Sequence, residues 1–275
     1  MDTSIKENVY LLGLIWADGC VSKNKAGGFS TSYESNLNDF NEIKPILLKL
    51  GFGCFQERQR LRDGKPFGRK QGSFSTGKQD FCKWLFDNGF NEKSTIAPSK
   101  ILSLIPKKLH YLFWRGYFDG DGCLYLGQKN ELAFWSTINQ DWSEVKNLFN
   151  ELKLENHSIY TYERKEGKHC SSVIRTGIAE DVLKFCDYIY QNYDGIGFSR
   201  KYQKYKDFLP IAAKIKEFNK TTSKQAGVCF NNTNKKWKAT IGRNKLNKLH
   251  KDVHLGWFDT EKEAINAVIR YKKII

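Results

Sequence analysis

Two stretches of nine residues decide the fold: LLGLIWADG at positions 11–19 and WRGYFDGDG at positions 114–122. The first glycine, the last aspartate and the final glycine of each stretch recur at an offset of 103 residues, and a cysteine follows each stretch. Similar polar and amphipathic segments come after both stretches. An internal repeat on this scale predicts two structurally equivalent halves.

Each half has the pattern helix, strand pair, helix, strand pair, helix. Candidate strands in the first half are residues 21–35, 52–62 and 67–76, and those in the second half are residues 123–136, 157–165 and 169–176. Two such α+β units in tandem predict a pseudo-two-fold monomer. In such a molecule each half buries the same patch at the symmetry axis.

The repeated stretches have the composition of closely packed helices. Gly13 and Ala17 lie four residues apart, as do Gly116 and Gly120, and small residues at this spacing let two helices approach backbone to backbone. A glycine ends each stretch, and we expect it to terminate the helix in the left-handed conformation.

The repeated aspartates call for a different explanation. Asp18 and Asp121 would each face the negative end of a helix dipole and, if the helices pack side by side, each other. A cation should compensate this repulsion, and oxygen ligands of this kind suit Mg²⁺. A lone Asp-Gly pair is typically a turn, but its repetition inside matched stretches favours a functional site.

Both stretches resemble the LAGLIDADG signature of homing endonucleases, and the resemblance covers residues 5–208. It implies an α+β fold with two pseudo-symmetric αββαββα halves, residues 1–104 and 105–208. Their sheets would form a DNA-binding saddle, and the signature helices would form the interface within a monomer.

The resemblance also implies an activity, which is the site-specific cleavage of both strands of a long double-stranded DNA target at two quasi-symmetric sites. The implied cofactor is Mg²⁺ or another divalent cation such as Mn²⁺. The metal ligands carried over by position are the carboxylates of Asp18 and Asp121 and the carbonyl oxygens of Ala17 and Gly120.

Two lysines are implied as the cations that stabilise charge on the phosphate: Lys93 and Lys201, each just after the last helix of its half. The other acidic position of the signature holds Asp119 in the second stretch but Trp16 in the first. The two halves are therefore chemically unequal, and we expect Asp119 to lie near the metal site with Asp18 and Asp121.

Polar residues on the candidate strands are the predicted DNA contacts. Arg58, Arg60 and Arg62 alternate, so a single strand would place all three on one face, where either DNA or solvent would offset their repulsion. The other predicted contacts in the two halves are Arg69, Lys70, Gln71, Ser73, Arg164, Lys165, Lys168 and Arg175.

The charge is concentrated in the last quarter of the chain. The 275 residues have a net charge of +15, but residues 1–198 carry 26 basic and 24 acidic side chains, whereas residues 199–275 carry 19 and 6. This excess favours a polyanionic partner.

Apolar runs are too short to span a bilayer, and seven scattered cysteines fit a reducing compartment. We expect no membrane association and a DNA-associated protein of a bacterial or phage-infected cytoplasm, or of an organelle.

The basic quarter is predicted to be a separate module. Residues 209–222 form a basic linker, and residues 223–275 form three strands and one helix. This module resembles an AP2 DNA-binding domain through three segments: Gly227-Val228, WKATI at 237–241 and LGWF at 255–258. The contacts implied or predicted there are Lys235, Lys236, Trp237, Lys238, Thr240, Arg243 and Lys245, with a core position as the alternative for Trp237.

Three functions fit this sequence. The leading hypothesis is a homing endonuclease carrying an auxiliary DNA-binding domain and encoded by an intron, an intein or a free-standing gene. The alternatives are an RNA-binding intron maturase and a sequence-specific DNA-binding regulator that does not cleave. The presence of both Asp18 and Asp121 argues against the regulator, and the AP2-like segment argues for DNA over RNA.

Overall fold

The computed structural model describes residues 1–59, 61–62, 65–126, 130–154, 156–163, 170–220, 227–231, 233–242 and 252–274. The chain divides into two compact units, Met1–Leu209 and Pro210–Ile275. The first unit contains both repeated stretches, and the second contains the basic module. Within the described part of the chain, no helix is both long and apolar enough to cross a membrane.

The first half follows the predicted order of elements. Its elements are α1 (Lys6–Asp18), β1 (Cys20–Lys23), β2 (Phe29–Asn36), α2 (Leu37–Leu48), β3 (Cys54–Arg58), β4 (Leu61–Arg62), β5 (Lys65–Pro66), β6 (Gln71–Thr76), α3 (Gln79–Asp87) and α4 (Ser99–Leu104). Asn36 caps α2, since its side chain accepts a hydrogen bond from the Asp39 amide.

The second half repeats this order. After a short 3-10 turn at Lys107–Leu109, its elements are α5 (His110–Asp121), β7 (Gly122–Tyr125), β8 (Glu131–Thr137), α6 (Ser143–Glu151), β9 (His157–Tyr162), β10 (Ser171–Thr176), α7 (Ala179–Ile189) and α8 (Ser199–Lys220). Helix α8 extends into residues 209–220, which the sequence analysis assigned to the linker. The domain boundaries drawn from the sequence stay predictions.

The two halves carry equivalent antiparallel sheets. The strand order is β1-β2-β6-β3 in the first sheet and β7-β8-β10-β9 in the second, so corresponding strands occupy corresponding places. The predicted α+β class is therefore confirmed. One face of each sheet packs on the helices of its own half through residues such as Tyr33, Phe74, Phe134 and Ile174, all of which are buried. The other face is turned away from those helices.

The arginine-bearing strand predicted over residues 52–62 is not continuous. Strand β3 ends at Arg58, where its pairing with Gln71 on β6 also ends. Strand β4 instead pairs with β5 in a separate two-stranded sheet. The prediction that Arg58, Arg60 and Arg62 alternate along one strand is wrong, because the chain beyond Arg58 pairs with its own continuation instead of β6.

Helices α1 and α5 pack directly against each other, as the small residues predict. A Cβ atom added to Gly13 would lie 1.9 Å from the Phe113 carbonyl oxygen, and one added to Gly116 would lie 2.1 Å from the Tyr10 carbonyl oxygen. Each glycine thus faces the backbone of the opposite helix. Leu12, Leu14 and Phe113 are fully buried around this crossing.

The glycines that end these helices are needed for space and not for a left-handed turn. Gly19 has φ −74° and Gly122 has φ −83°, so both are extended and the expectation of left-handed termination is wrong. The chain runs straight from each helix into a strand. An added Cβ would lie 2.6 Å from the Ile15 carbonyl oxygen at Gly19 and 2.4 Å from that of Phe118 at Gly122.

The second unit contains the predicted three strands and one helix. These are β11 (Val228–Asn231), β12 (Lys236–Ile241), β13 (Val253–Phe258) and α9 (Glu261–Ile274), and the sheet order is β11-β12-β13. Its core comprises Val228, Ala239, Ile241, Ala264 and Val268. Thr260 starts the helix, since its hydroxyl accepts a hydrogen bond from the Glu263 amide.

Candidate active site and nucleic-acid interface

Asp18 and Asp121 meet where α1 and α5 end. A Cβ atom built on Gly120 would lie 3.1 Å from the Asp18 carboxylate oxygen Oδ2, so the missing side chain leaves room beside that carboxylate. Asp18 is exposed at one edge, and Asp121 is partly buried. The crossing at the paired glycines therefore brings the two repeated carboxylates to one place.

The electrostatics of this pair favour a bound cation. Desolvation, together with the negative charge of Asp18, raises the pKa of Asp121 to about 7. Desolvation by surrounding protein atoms also raises the pKa of Asp18, although one edge of that side chain reaches solvent. Two desolvated carboxylates that disfavour each other's charge, beside a helix with no Cβ at Gly120, fit a divalent metal.

The donor set available to such a metal is small. Groups of three or more His, Cys, Asp or Glu residues that could hold a metal are absent from the described residues. Any metal here would rely on the two carboxylates, on backbone oxygens, and on oxygens from water and phosphate. Mg²⁺ accepts such a set, since it usually keeps several water ligands.

Lys93 lies beside both carboxylates. It is partly buried, and its ammonium donates a hydrogen bond to the Ala17 carbonyl oxygen. Desolvation lowers the pKa of Lys93, and the charges of Asp121 and Asp18 oppose that effect. The lysine therefore reaches one of the backbone oxygens expected to hold the metal.

Lys201 has a different environment from its predicted counterpart. Only 6% of the residue is exposed. Its ammonium donates to the Phe118, Asp119 and Gly122 carbonyl oxygens, the last two at 2.8 and 2.7 Å. Desolvation lowers its pKa to about 8. Lys201 thus caps the C-terminus of α5 from within the protein, and a role in touching phosphate does not fit this burial.

Asp119 does not join the carboxylate pair, contrary to the prediction. It is 1% exposed, and its Oδ2 accepts hydrogen bonds from the Tyr10 hydroxyl at 2.8 Å and the Phe198 amide at 2.9 Å. Desolvation raises its pKa to about 6. The side chain lies on the buried face of α5. The matching position of α1 holds Trp16, whose ring packs edge-on against Phe90 with the ring centres 5.0 Å apart.

Sequence reasoning missed the structural role of Arg115. This residue is fully buried, and its guanidinium donates to the carbonyl oxygens of Ile189, Gln191 and Ile196 at 2.6, 3.2 and 2.9 Å. It thereby fixes the segment that leads into α8 and Lys201. The one available signal was a permanent charge inside an otherwise apolar stretch.

The exposed face of each sheet lies next to one of the two carboxylates, because β1 follows Asp18 and β7 follows Asp121 without a loop. We call these the first and second outer faces. The first includes Arg58, Gln71 and Ser73 in register across β3 and β6, together with Ser32 and Ser75. It is polar and rich in small hydroxyl side chains. Arg69 and Lys70 are exposed just before β6.

The second outer face carries Arg175 but is mainly aromatic. Its register places Tyr125, Trp135, Tyr160 and Tyr162 on the same side of the sheet as Arg175. Sequence reasoning did not predict the interaction of these rings, because cross-strand register decides which of them meet.

The predicted contacts Arg60, Arg164, Lys165 and Lys168 lie outside the described residues, and the described part of Arg62 is its backbone in β4.

The sheet of the second unit also has two unlike faces. Lys236, Lys238 and Thr240 share the side that carries Trp257, with the Lys238 ammonium 6.0 Å from the Trp257 ring centre. Trp237 points the opposite way and packs against the core, so its prediction as a DNA contact is wrong and the core alternative holds. Lys235 is exposed in the turn before β12, whereas Arg243 and Lys245 lie outside the described residues.

Comparison with known proteins adds one family match. Residues 109–190 match a family model described as a LAGLIDADG-like domain, which corresponds to most of the second half. A search of curated proteins finds no match. The AP2 resemblance of the second unit stays a prediction.

Similar solved structures are LAGLIDADG meganucleases. I-AabMI bound to uncleaved DNA is 15% identical, with 76% of this chain and 91% of that chain covered and a TM-score of 0.45. I-CpaMI bound to uncleaved DNA is 13% identical, with 77% and 92% covered and a TM-score of 0.48. I-DmoI, with its nicked target DNA in the presence of Mn, is 16% identical, with 68% and 97% covered and a TM-score of 0.44.

Proposed function

We propose that this protein is a site-specific double-strand DNA endonuclease that hydrolyses one phosphodiester bond in each strand with a divalent metal. The observation that carries the proposal is the meeting of Asp18 and Asp121 at the ends of two helices packed through Gly13 and Gly116. The family match over residues 109–190 supports it independently. The proposed active form is a monomer, since one chain supplies both carboxylates.

The carboxylates of Asp18 and Asp121 would hold Mg²⁺ or Mn²⁺, with the Ala17 and Gly120 carbonyl oxygens as further ligands. When bound, the cation would lower the pKa of a water molecule and stabilise the attacking and leaving oxygens of an in-line displacement. The protein brings two negative groups together in a desolvated place, and their raised pKa values are the consequence.

The two lysines would act in different ways. Lys93 is partly exposed beside the carboxylates, so it is the proposed cation that contacts the phosphate. Lys201 is a positioning residue, because its ammonium is enclosed by three carbonyl oxygens of the α5 terminus and the turn into β7. It would hold Asp121 in place through the backbone.

The outer faces of the two sheets are the proposed DNA-reading surface. Each is continuous with a carboxylate through β1 or β7, so a duplex bound across both faces would pass the proposed sites of hydrolysis. In the second unit, the face with Lys236, Lys238 and Thr240 would add contacts to the phosphate backbone. A basic accessory module would strengthen binding without taking part in the chemistry.

One cleavage experiment tests the proposal. The full chain is incubated with Mg²⁺ and a duplex that rejoins the flanks of its own gene across the insertion point. We expect a double-strand break with the wild type and a loss of rate of at least about 100-fold with Asp18→Asn or Asp121→Asn. Asp87→Asn is the matched control, because Asp87 is an exposed carboxylate on α3.

The outcomes separate the three functions. Undiminished cutting by both variants would overturn the metal-ligand assignment. Specific binding of this duplex without cutting would favour the non-cleaving regulator. Tighter binding of the intron RNA than of the duplex would favour a maturase. Calorimetric titration with Ca²⁺ gives a readout besides activity, since both carboxylate variants should bind the cation more weakly than the wild type.

A further inference from the structure

The second outer face presents aromatic rings that pack on one another and on an arginine. Trp135 and Tyr162 stack on each other with their centres 5.6 Å apart and their planes 28° apart. The Arg175 guanidinium lies over the Tyr160 ring at 4.4 Å. Tyr125 is 50% exposed at the strand nearest the carboxylates.

The charge on this face is neutralised from within. Arg175 donates to the Glu131 carboxylate at 2.9 Å, and the same guanidinium is occupied by Tyr160. Ala133 and Val173 share the face but are fully covered. The second outer face thus offers mainly aromatic surface around an internally paired arginine, interspersed with the hydroxyls of its tyrosines and of Ser158 and Ser171.

The first outer face has the opposite chemistry at the equivalent place. Ser32, Ser73 and Ser75 lie in register there, next to Gln56 and Arg58. Gln56 and Arg58 hydrogen-bond to each other at 2.9 Å, and both are exposed. Hydroxyl, amide and guanidinium groups of this kind recognise bases by hydrogen bonds.

We infer that the second outer face reads its half of the target through apolar contacts with thymine methyl groups, whereas the first outer face reads by hydrogen bonds. This inference rests on the proposed function. The thymine C5 methyl is the apolar group that a base pair presents in the major groove, so it suits an aromatic surface. The face begins directly after Asp121, which places it beside the proposed cleavage site.

Duplex DNA fits this face better than unpaired bases do. A surface that binds single strands needs open ring faces on which bases can stack. Here Trp135 and Tyr162 each cover one face of the other ring, and Arg175 covers one face of Tyr160. These contacts leave fewer ring faces on which an unpaired base could stack, whereas a thymine methyl group in a major groove needs no open ring face.

Replacement of thymine by deoxyuridine tests the inference, since it removes the methyl and keeps the hydrogen bonds. Duplexes selected from a random pool by the Asp18→Asn, Asp121→Asn double variant are resynthesised with deoxyuridine in one half or the other. We expect deoxyuridine in one half to weaken binding roughly tenfold, since each buried methyl contributes a factor of about four. The other half should change less than about twofold.

A pair of variants assigns the sensitive half to a sheet. Trp135→Ala should abolish the effect of deoxyuridine, whereas Ser73→Ala should leave it intact, with circular dichroism used to verify folding of each. Tyr162→Phe keeps the stack and should retain the effect. Equal sensitivity of both halves, or none in either, would overturn the inference while leaving the nuclease function standing. Tighter binding of single strands would also overturn it. A protein that selects no duplex at all would contradict both proposals.

Discussion

The two halves of residues 1–209 share their central helices and their strand order, but they differ in the side chains around the carboxylates and on the outer faces of the sheets. Gly13 and Gly116 make the same close approach, and each helix ends in an aspartate. Outside the crossing, the first half has a partly exposed lysine and a face rich in serine, whereas the second has an enclosed lysine and an aromatic face. Pseudo-symmetry persists where the two helix backbones touch, because hardly any residue other than glycine fits there. It is lost where side chains meet solvent.

The shared crossing gives the largest expected effect. Gly13→Ala and Gly116→Ala should each lower the free energy of unfolding by about 3 kcal/mol or more, because the new Cβ meets a carbonyl of the opposite helix and no side chain can turn aside. Chemical denaturation measures the change. Gly77→Ala is the control, since a Cβ there meets open space. A small effect at only one of the two glycines would break the equivalence of the halves.

The lysines test where the halves diverge. Lys201→Met should lower the free energy of unfolding by about 2–3 kcal/mol, because three carbonyl oxygens lose a buried donor. Lys93→Met should lower it by less, by about 1 kcal/mol, since only the Ala17 carbonyl loses a donor. Denaturant titration of both variants compares them directly. Equal losses would mean that the two lysines are equivalent after all.

The carboxylate pair gives a smaller, pH-dependent effect. The pKa of Asp121 in the folded protein, about 7, lies above its usual 3.8. The folded state therefore holds this proton more tightly than the unfolded state does. That contribution to stability is fully present below pH 3.8 and is lost as the pH rises through 7.

Asp121→Asn should accordingly stabilise the metal-free protein by about 2 kcal/mol at pH 8, and the gain should shrink as the pH falls towards 4. Thermal unfolding with a chelator across this range measures it, with Asp87→Asn as the exposed control. A gain that does not change with pH would contradict the desolvated pair. A gain that does change would show that the protein keeps Asp121 at the expense of stability.

Much of the first unit could be predicted from sequence because its signals are local or repeated. The recurrence of Gly13 and Asp18 at Gly116 and Asp121 indicated two equivalent helices in contact. Hydrophobic periodicity gave the order of helices and strands. The second unit also followed from local patterns, since its short strands and single helix lie in sequence order.

The errors arose where distant parts of the chain decide the outcome. The end of β3 at Arg58 depends on where β6 begins, and the orientation of Trp237 depends on which side α9 covers. Gly19 and Gly122 are extended because a strand follows at once, which a motif for helix ends does not encode. For Arg58 and Trp237 a local rule was overridden by a partner remote in the chain, whereas for the two glycines it was overridden by the strand that follows.

The sequence by itself determined the repeat, the small residues at the crossing and the two carboxylates that end the helices, because each is a matter of residue type and spacing. Only the tertiary structure decided that Lys93 stays partly exposed while Lys201 is enclosed, that Asp119 bonds to Tyr10, and that one sheet face is polar and the other aromatic. Burial and cross-strand register set these properties, and both depend on neighbours brought together by folding.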